Sequence, residues 1–128
     1  MDGKFTKGHH MISTIYKLKI NGTPTNITVL SAHNWFSRLK GLLGTFSLDK
    51  HTCLWIKPCH SIHTVGMIYS IDVLFLDRNN YVKKISQNVK PFRFRWASKH
   101  AISVIELASG SVNILGIENG DSLVFESE

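Results

Sequence analysis

Ile71-Asp72-Val73-Leu74-Phe75-Leu76 runs into Asp77-Arg78-Asn79-Asn80 and then into Tyr81-Val82-Lys83-Lys84-Ile85. The first six residues are a continuous apolar run interrupted only by Asp72, the pattern of a strand buried on both faces. Asp77 to Asn80 are turn formers, whose short polar side chains bond to nearby backbone. Tyr81 to Ile85 then pairs back as the second arm of a hairpin. A charge inside a buried strand needs a partner. Arg38, or a hydroxyl such as that of Thr64, is a candidate for Asp72, and Glu106 raises the same question further on.

Upstream of this hairpin, Ser13 to Ile20 alternates Tyr16, Leu18 and Ile20 with Lys17 and Lys19, a strand signal. Asn21-Gly22 is a hairpin turn because both residues tolerate positive φ. A second strand follows at about Asn26 to Leu30. Ser31 is placed to cap a helix. Trp35, Leu39 and Leu42 then recur at helical spacing, and Gly44 is placed to end that helix. Cys53 to Ile56 returns to strand, stopped by Pro58. Downstream, Ser103 to Leu107 and Ser122 to Phe125 read as strands. Val112 and Leu115 suit one short helical turn that ends at Gly116, and Glu118 to Asp121 reads as a turn. The expectation is a mainly β (α+β) fold: a small barrel-like curled sheet with one helix in the N-terminal half and short helical turns. Too little chain is left for the crossover helices of a doubly wound fold.

The 128 residues fit a single domain, expected at 11–128, with residues 1–10 reading as a leader or expression-tag remnant. Hydrophobic residues make up 43% and charged residues 19%, which is globular rather than disordered composition. No apolar run approaches the roughly 20 residues that span a bilayer. With no visible secretory signal and only Cys53 and Cys59, a cytoplasmic location with both cysteines as thiols is expected. The formal net charge of +6 weakly favours anionic partners.

Four motifs occur in order: Ser37-Arg38-Leu39-Lys40-Gly41-Leu42-Leu43, Ile71 to Asp77, Val104-Ile105-Glu106-Leu107-Ala108-Ser109-Gly110, and Gly116-Ile117-Glu118-Asn119-Gly120-Asp121. Together they resemble the bacterial and archaeal family called domain of unknown function 192, over roughly residues 27–125. The resemblance implies a compact, mainly β domain with few helices, and it implies no activity. Many members carry an aromatic-Met-Lys-Asn-Thr segment before the Asp-Val strand. Here Cys59 to Met67 is similar instead to a branch reading Cys-x-Ser-Val/Ile-His-Thr-x-Gly-Met, and Ser70 stands where proline is usual. No role tied to the Lys-Asn-Thr form is carried over.

Chemistry is densest from Cys53 to Thr64. Cys59, His60 and His63, with Cys53 as a fourth donor, are ligand types suited to zinc or copper. Paired Cys-x-x-Cys or His-x-x-x-His spacing is missing, so a buried thiol and hydrogen-bonded histidines compete with that reading. Cys59, flanked by Lys57 and His60 and with His63 as base, is also a candidate catalytic thiol. No orienting group or oxyanion hole is evident for it. The leading expectation is a non-catalytic module that binds a small molecule or protein. Its polar pocket would draw on Arg38, Cys59, Ser61, His63, Thr64 and Asp72, and no cofactor is required. Lys90-Pro91-Phe92-Arg93-Phe94-Arg95-Trp96 alternates aromatic with basic residues. It reads as a strand or loop with a core face and a solvated face. Nucleic-acid contact through Arg93 and Arg95 is the alternative.

Overall fold

A computed structural model describes residues 12–32, 48–59, 61–64, 69–97 and 99–127. Among the described residues, nine strands and one short helix follow in order: β1 (Ile12–Ile20), β2 (Thr23–Ala32), β3 (Thr52–Ile56), β4 (Ser61–His63), β5 (Ile71–Leu76), β6 (Val82–Val89), β7 (Phe94–Trp96), β8 (Ser103–Ala108), α1 (Ser111–Leu115) and β9 (Leu123–Ser127). Seven strands form one sheet in the order β6-β5-β8-β3-β2-β1-β9, and β4 and β7 pair separately as a two-stranded ribbon. The fold is mainly β, as expected.

The hairpins form where the turn chemistry places them. Asn21 (φ 51) and Gly22 (φ 82) both take the left-handed conformation that closes β1 on β2. In the β5–β6 turn, Asp77 Oδ1 accepts the backbone N–H of Asn79 at 2.9 Å and of Tyr81 at 3.0 Å. β6 runs on to Val89, beyond the expected end at Ile85, across a register shift opposite Asp72.

Two expectations are corrected. Ser31 was expected to cap a helix, yet it stands within β2, opposite Thr14 on one side and Trp55 on the other. The parallel pairing of β2 with β3, which continues to Ala32 and Ile56, holds the chain extended past Leu30. The expected helix from Trp35 to Gly44 lies outside the described residues. The barrel-like closure is also limited. The edge strands β6 and β9 approach at one end, where Tyr81 and Ser122 form an isolated bridge and Val82 N–H donates to Asp121 O at 2.9 Å. Along the rest of their length they do not pair, so the sheet curls without closing.

Both faces of the sheet carry a core. One cluster contains Leu30, Leu54, Ile56, Cys59, Ile62, Val73, Phe75 and Val104. The other contains Leu18, Val29, Cys53, Trp55, Leu74, Leu76, Ile105 and Leu107. Successive side chains of a strand point to opposite faces, so two clusters explain why all six residues of β5 are buried. Among the described residues no helix is long and apolar enough to cross a membrane.

Candidate functional site

Cys59 leaves β3 with its N–H on Ile102 O at 2.8 Å. Its thiol donates to Ser61 O at 2.9 Å, and the residue is 1% exposed within the first cluster. β4 follows at once and pairs antiparallel with β7: Ser61 opposite Trp96, Ile62 opposite Arg95, and His63 opposite Phe94. Ile62 is buried, whereas Ser61 is exposed. Thr64 locks the end of the ribbon. Its backbone N–H donates to Arg93 O at 2.9 Å and its carbonyl accepts Phe92 N–H at 3.2 Å. Its hydroxyl donates to Lys90 O at 2.7 Å and accepts Arg93 N–H at 2.8 Å. The two sequence features read separately, Cys59–Thr64 and Lys90–Trp96, are thus one unit.

The same arrangement divides the expected polar pocket. Asp72 lies on β5 between Ile71 and Val73, both members of the Cys59 cluster, so its side chain points to the opposite face. There Oδ1 accepts Asn88 N–H at 2.8 Å, at the irregularity in β6 where Asn88 takes φ 50. Oδ2 accepts Gly110 N–H at 3.1 Å and Val112 N–H at 3.0 Å. Gly110 caps α1 without a side chain of its own, so the carboxylate of a distant strand satisfies the first turn of that helix. Asp72 therefore fastens α1 and the β6 irregularity to the sheet, and neither Arg38 nor Thr64 is needed to explain its burial. Arg38 and His60 lie outside the described residues, and His63 is placed by its backbone pairing alone.

The other expected combinations fare similarly. Cys53 belongs to the second cluster and Cys59 to the first, so the structure does not bring them together as metal donors. Among the described residues no group of three His, Cys, Asp or Glu side chains stands close enough to hold a metal. Both cysteines are free thiols. Burial pushes the Cys53 thiol far above its ordinary range, which makes it inert at neutral pH. The Cys59 sulfur is enclosed by apolar neighbours, a poor setting for a nucleophile. Among the described residues, clefts of about 290, 450 and 390 Å³ open on the molecule, and Cys59, Ser61, Thr64 and Asp72 line none of these.

Sequence reasoning missed the direction of the aromatic face. Phe92, Phe94 and Trp96 were expected on the core side, yet they are 67%, 53% and 63% exposed. The reason is the thinness of the ribbon. Ile62 and the partly buried Arg95, directly opposite one another, occupy its inner side, and among the described residues no further strand pairs with the ribbon. The Phe94 and Trp96 rings lie near-parallel, 23° apart with centroids 6.0 Å from each other. A sequence signal for this surface exists. Between Asp77 and Glu106 stand Arg78, Lys83, Lys84, Lys90, Arg93, Arg95 and Lys99, with no Asp or Glu among them. Also unread was Tyr69, whose hydroxyl is pushed above the ordinary tyrosine range by burial, with Glu106 adding to the effect. Glu106 itself is fully buried, opposite Leu54 and Val73.

The comparisons with known proteins agree with this architecture. A protein named UPF0127 protein from Thermococcus sibiricus is 32% identical over 102 residues, covering 76% of this chain and 65% of that protein. Another UPF0127 protein, from Pyrococcus furiosus, is 30% identical over 107 residues, covering 80% of this chain and 90% of that protein. Two bacterial crystal structures share the fold. One is described as a candidate transcription regulator from Sinorhizobium meliloti, with a TM-score of 0.76 and 19% identity over 88% of this chain and 94% of that chain. The other is a protein of unknown function from Novosphingobium aromaticivorans, with a TM-score of 0.71 and 20% identity over 86% and 84%. The model of the family DUF192, described as "Uncharacterized ACR", matches residues 16–125, and the chain belongs to that family.

Proposed function

We propose that this protein is a non-catalytic binding module and that the outer face of the β4–β7 ribbon is its contact surface for an anionic partner. The observation that carries this reading is the outward display of Phe92, Phe94 and Trp96 in a stretch of chain that is basic throughout. Exposed aromatic residues beside cations are the composition of a contact surface rather than of an inert exterior. The curled sheet serves as the barrel-like scaffold beneath, and Thr64 fixes the ribbon to the turn that precedes β7. A candidate transcription regulator of similar fold accords with binding rather than catalysis. A cytoplasmic location, expected from the sequence, would give the surface access to soluble polyanions.

The alternatives draw less support. A thiol enzyme needs an accessible sulfur, and Cys59 is buried and bonded to Ser61 O. A small-molecule pocket spanning Cys59 to Asp72 needs both on one side of the sheet, and they lie on opposite faces.

Retention on immobilised heparin tests the reading, compared with that of the double variant Arg93→Glu plus Arg95→Glu. The parent is expected to elute at clearly higher salt than the variant. Equal elution of the two proteins would place the anionic contact elsewhere and overturn the assignment.

A further inference from the structure

We infer that the partner of the ribbon is single-stranded nucleic acid, with bases stacked on Phe94 and Trp96 and phosphates held by the cations around them. This rests on the reading of the ribbon as the contact surface and names what that surface accepts.

The rings argue for bases. Phe94 and Trp96 are more than half exposed and present near-parallel planes. Every base offers a π-face, so such a pair accepts bases without regard to sequence. The 6.0 Å between ring centroids is far wider than the roughly 3.4 Å repeat along one strand of a duplex. The pair therefore matches bases drawn apart along an extended strand, and bases enclosed in a duplex cannot reach it. Phe92, in the turn before β7, is the most exposed of the three.

The charges argue for phosphate. Arg93 and Arg95 alternate with the rings, and their side chains lie along the ribbon's own backbone. Arg95 Nη1 donates to Phe94 O at 2.7 Å, and Arg93 Nη1 donates to Pro91 O and Phe92 O at 3.3 Å each. Lys84 Nζ reaches Trp96 O at 2.5 Å from the neighbouring β6. Cations are thus tied to the ribbon's own backbone, with Arg93 exposed near the rings and Arg95 partly buried on the inner side. No carboxylate in the stretch competes with a phosphate. An acidic peptide could use these cations but would leave the ring pair without a purpose.

Fluorescence anisotropy of labelled oligo(dT), its duplex with oligo(dA), and heparin tests the inference, using the parent, Phe94→Ala plus Trp96→Ala, and Arg93→Glu. The single strand is expected to bind at least about tenfold tighter than the duplex. Losing both rings is expected to weaken oligo(dT) binding by about tenfold or more, with heparin binding unchanged. Arg93→Glu is expected to weaken both and to flatten the salt dependence. The side chains removed are exposed, and unchanged far-ultraviolet circular dichroism checks that the ring variant is folded. If that variant binds oligo(dT) as well as the parent does, or the duplex binds equally well, base stacking is overturned while the anionic contact surface stands. If none of the three probes binds, the proposed function itself falls.

Discussion

β5 and β7 are both short strands rich in large apolar side chains, and they meet opposite fates. All six residues of β5 are buried, including Asp72. In β7, Phe94 and Trp96 are mostly exposed while Arg95 between them is partly covered. β5 lies between β6 and β8 in a seven-stranded sheet with an apolar cluster on each face. Among the described residues β7 pairs with β4 alone, in a separate two-stranded ribbon. Burial is set by the number of layers around a strand, so equal hydrophobicity does not mean equal depth.

Substitutions can break or sharpen this contrast. The largest effect is expected from Phe75→Ala, which empties a fully buried site on β5 and should cost about 3–5 kcal/mol in denaturant unfolding. Asp72→Ala comes next. It strands the N–H groups of Asn88, Gly110 and Val112, the last of them buried, and should cost about 3 kcal/mol. Faster hydrogen exchange at Val112 should accompany it, and a loss below about 1 kcal/mol would show that the carboxylate is not the fastening it resembles.

A smaller effect belongs to alkaline pH. Burial raises the Cys53 thiol in the folded state above its ordinary value of 9.0, so the unfolded chain ionises first. This stabilising contribution is complete below pH 9.0 and is lost as pH rises toward the folded value, by up to about 1.4 kcal/mol per pH unit. Cys53→Ala should unfold more easily at neutral pH yet show a shallower alkaline decline. Parallel pH profiles for the two proteins would contradict a sealed thiol. The smallest effect is expected from Trp96→Ala, within about 0.5 kcal/mol of the parent. A loss approaching that of Phe75→Ala would erase the contrast and mark the ribbon's outer face as core.

Much of the fold was legible because it is written in short-range chemistry. Asn21-Gly22 and Asp77 to Asn80 turn because their side chains and backbone allow it, and the run from Ile71 to Leu76 can be satisfied only by burial on both faces. The site was less legible. Cys59, Thr64 and Asp72 are close in sequence and share polar character, yet period-2 alternation and sheet order send Asp72 to the face opposite Cys59. Three backbone donors, one from β6 and two from the α1 region, explain Asp72. They lie 16 to 40 residues away along the chain, beyond the reach of any local pattern. The acid-free basic stretch from Arg78 to Lys99 was readable by counting, but its consequence depends on which side chains reach the surface.

By itself the sequence determined the hairpins, the buried strand at Ile71–Leu76, the short helix before Gly116 and membership in the family. The first three follow from local conformational preference and from hydrophobic periodicity, which act within a few residues, and the last from four motifs in order. Tertiary structure alone decided that β4 pairs with β7, that Asp72 caps a distant helix, and that Phe94 and Trp96 face outward. Each of these depends on which strand becomes a neighbour and how many layers cover it, and pairing between distant segments is not encoded in the spacing of either one.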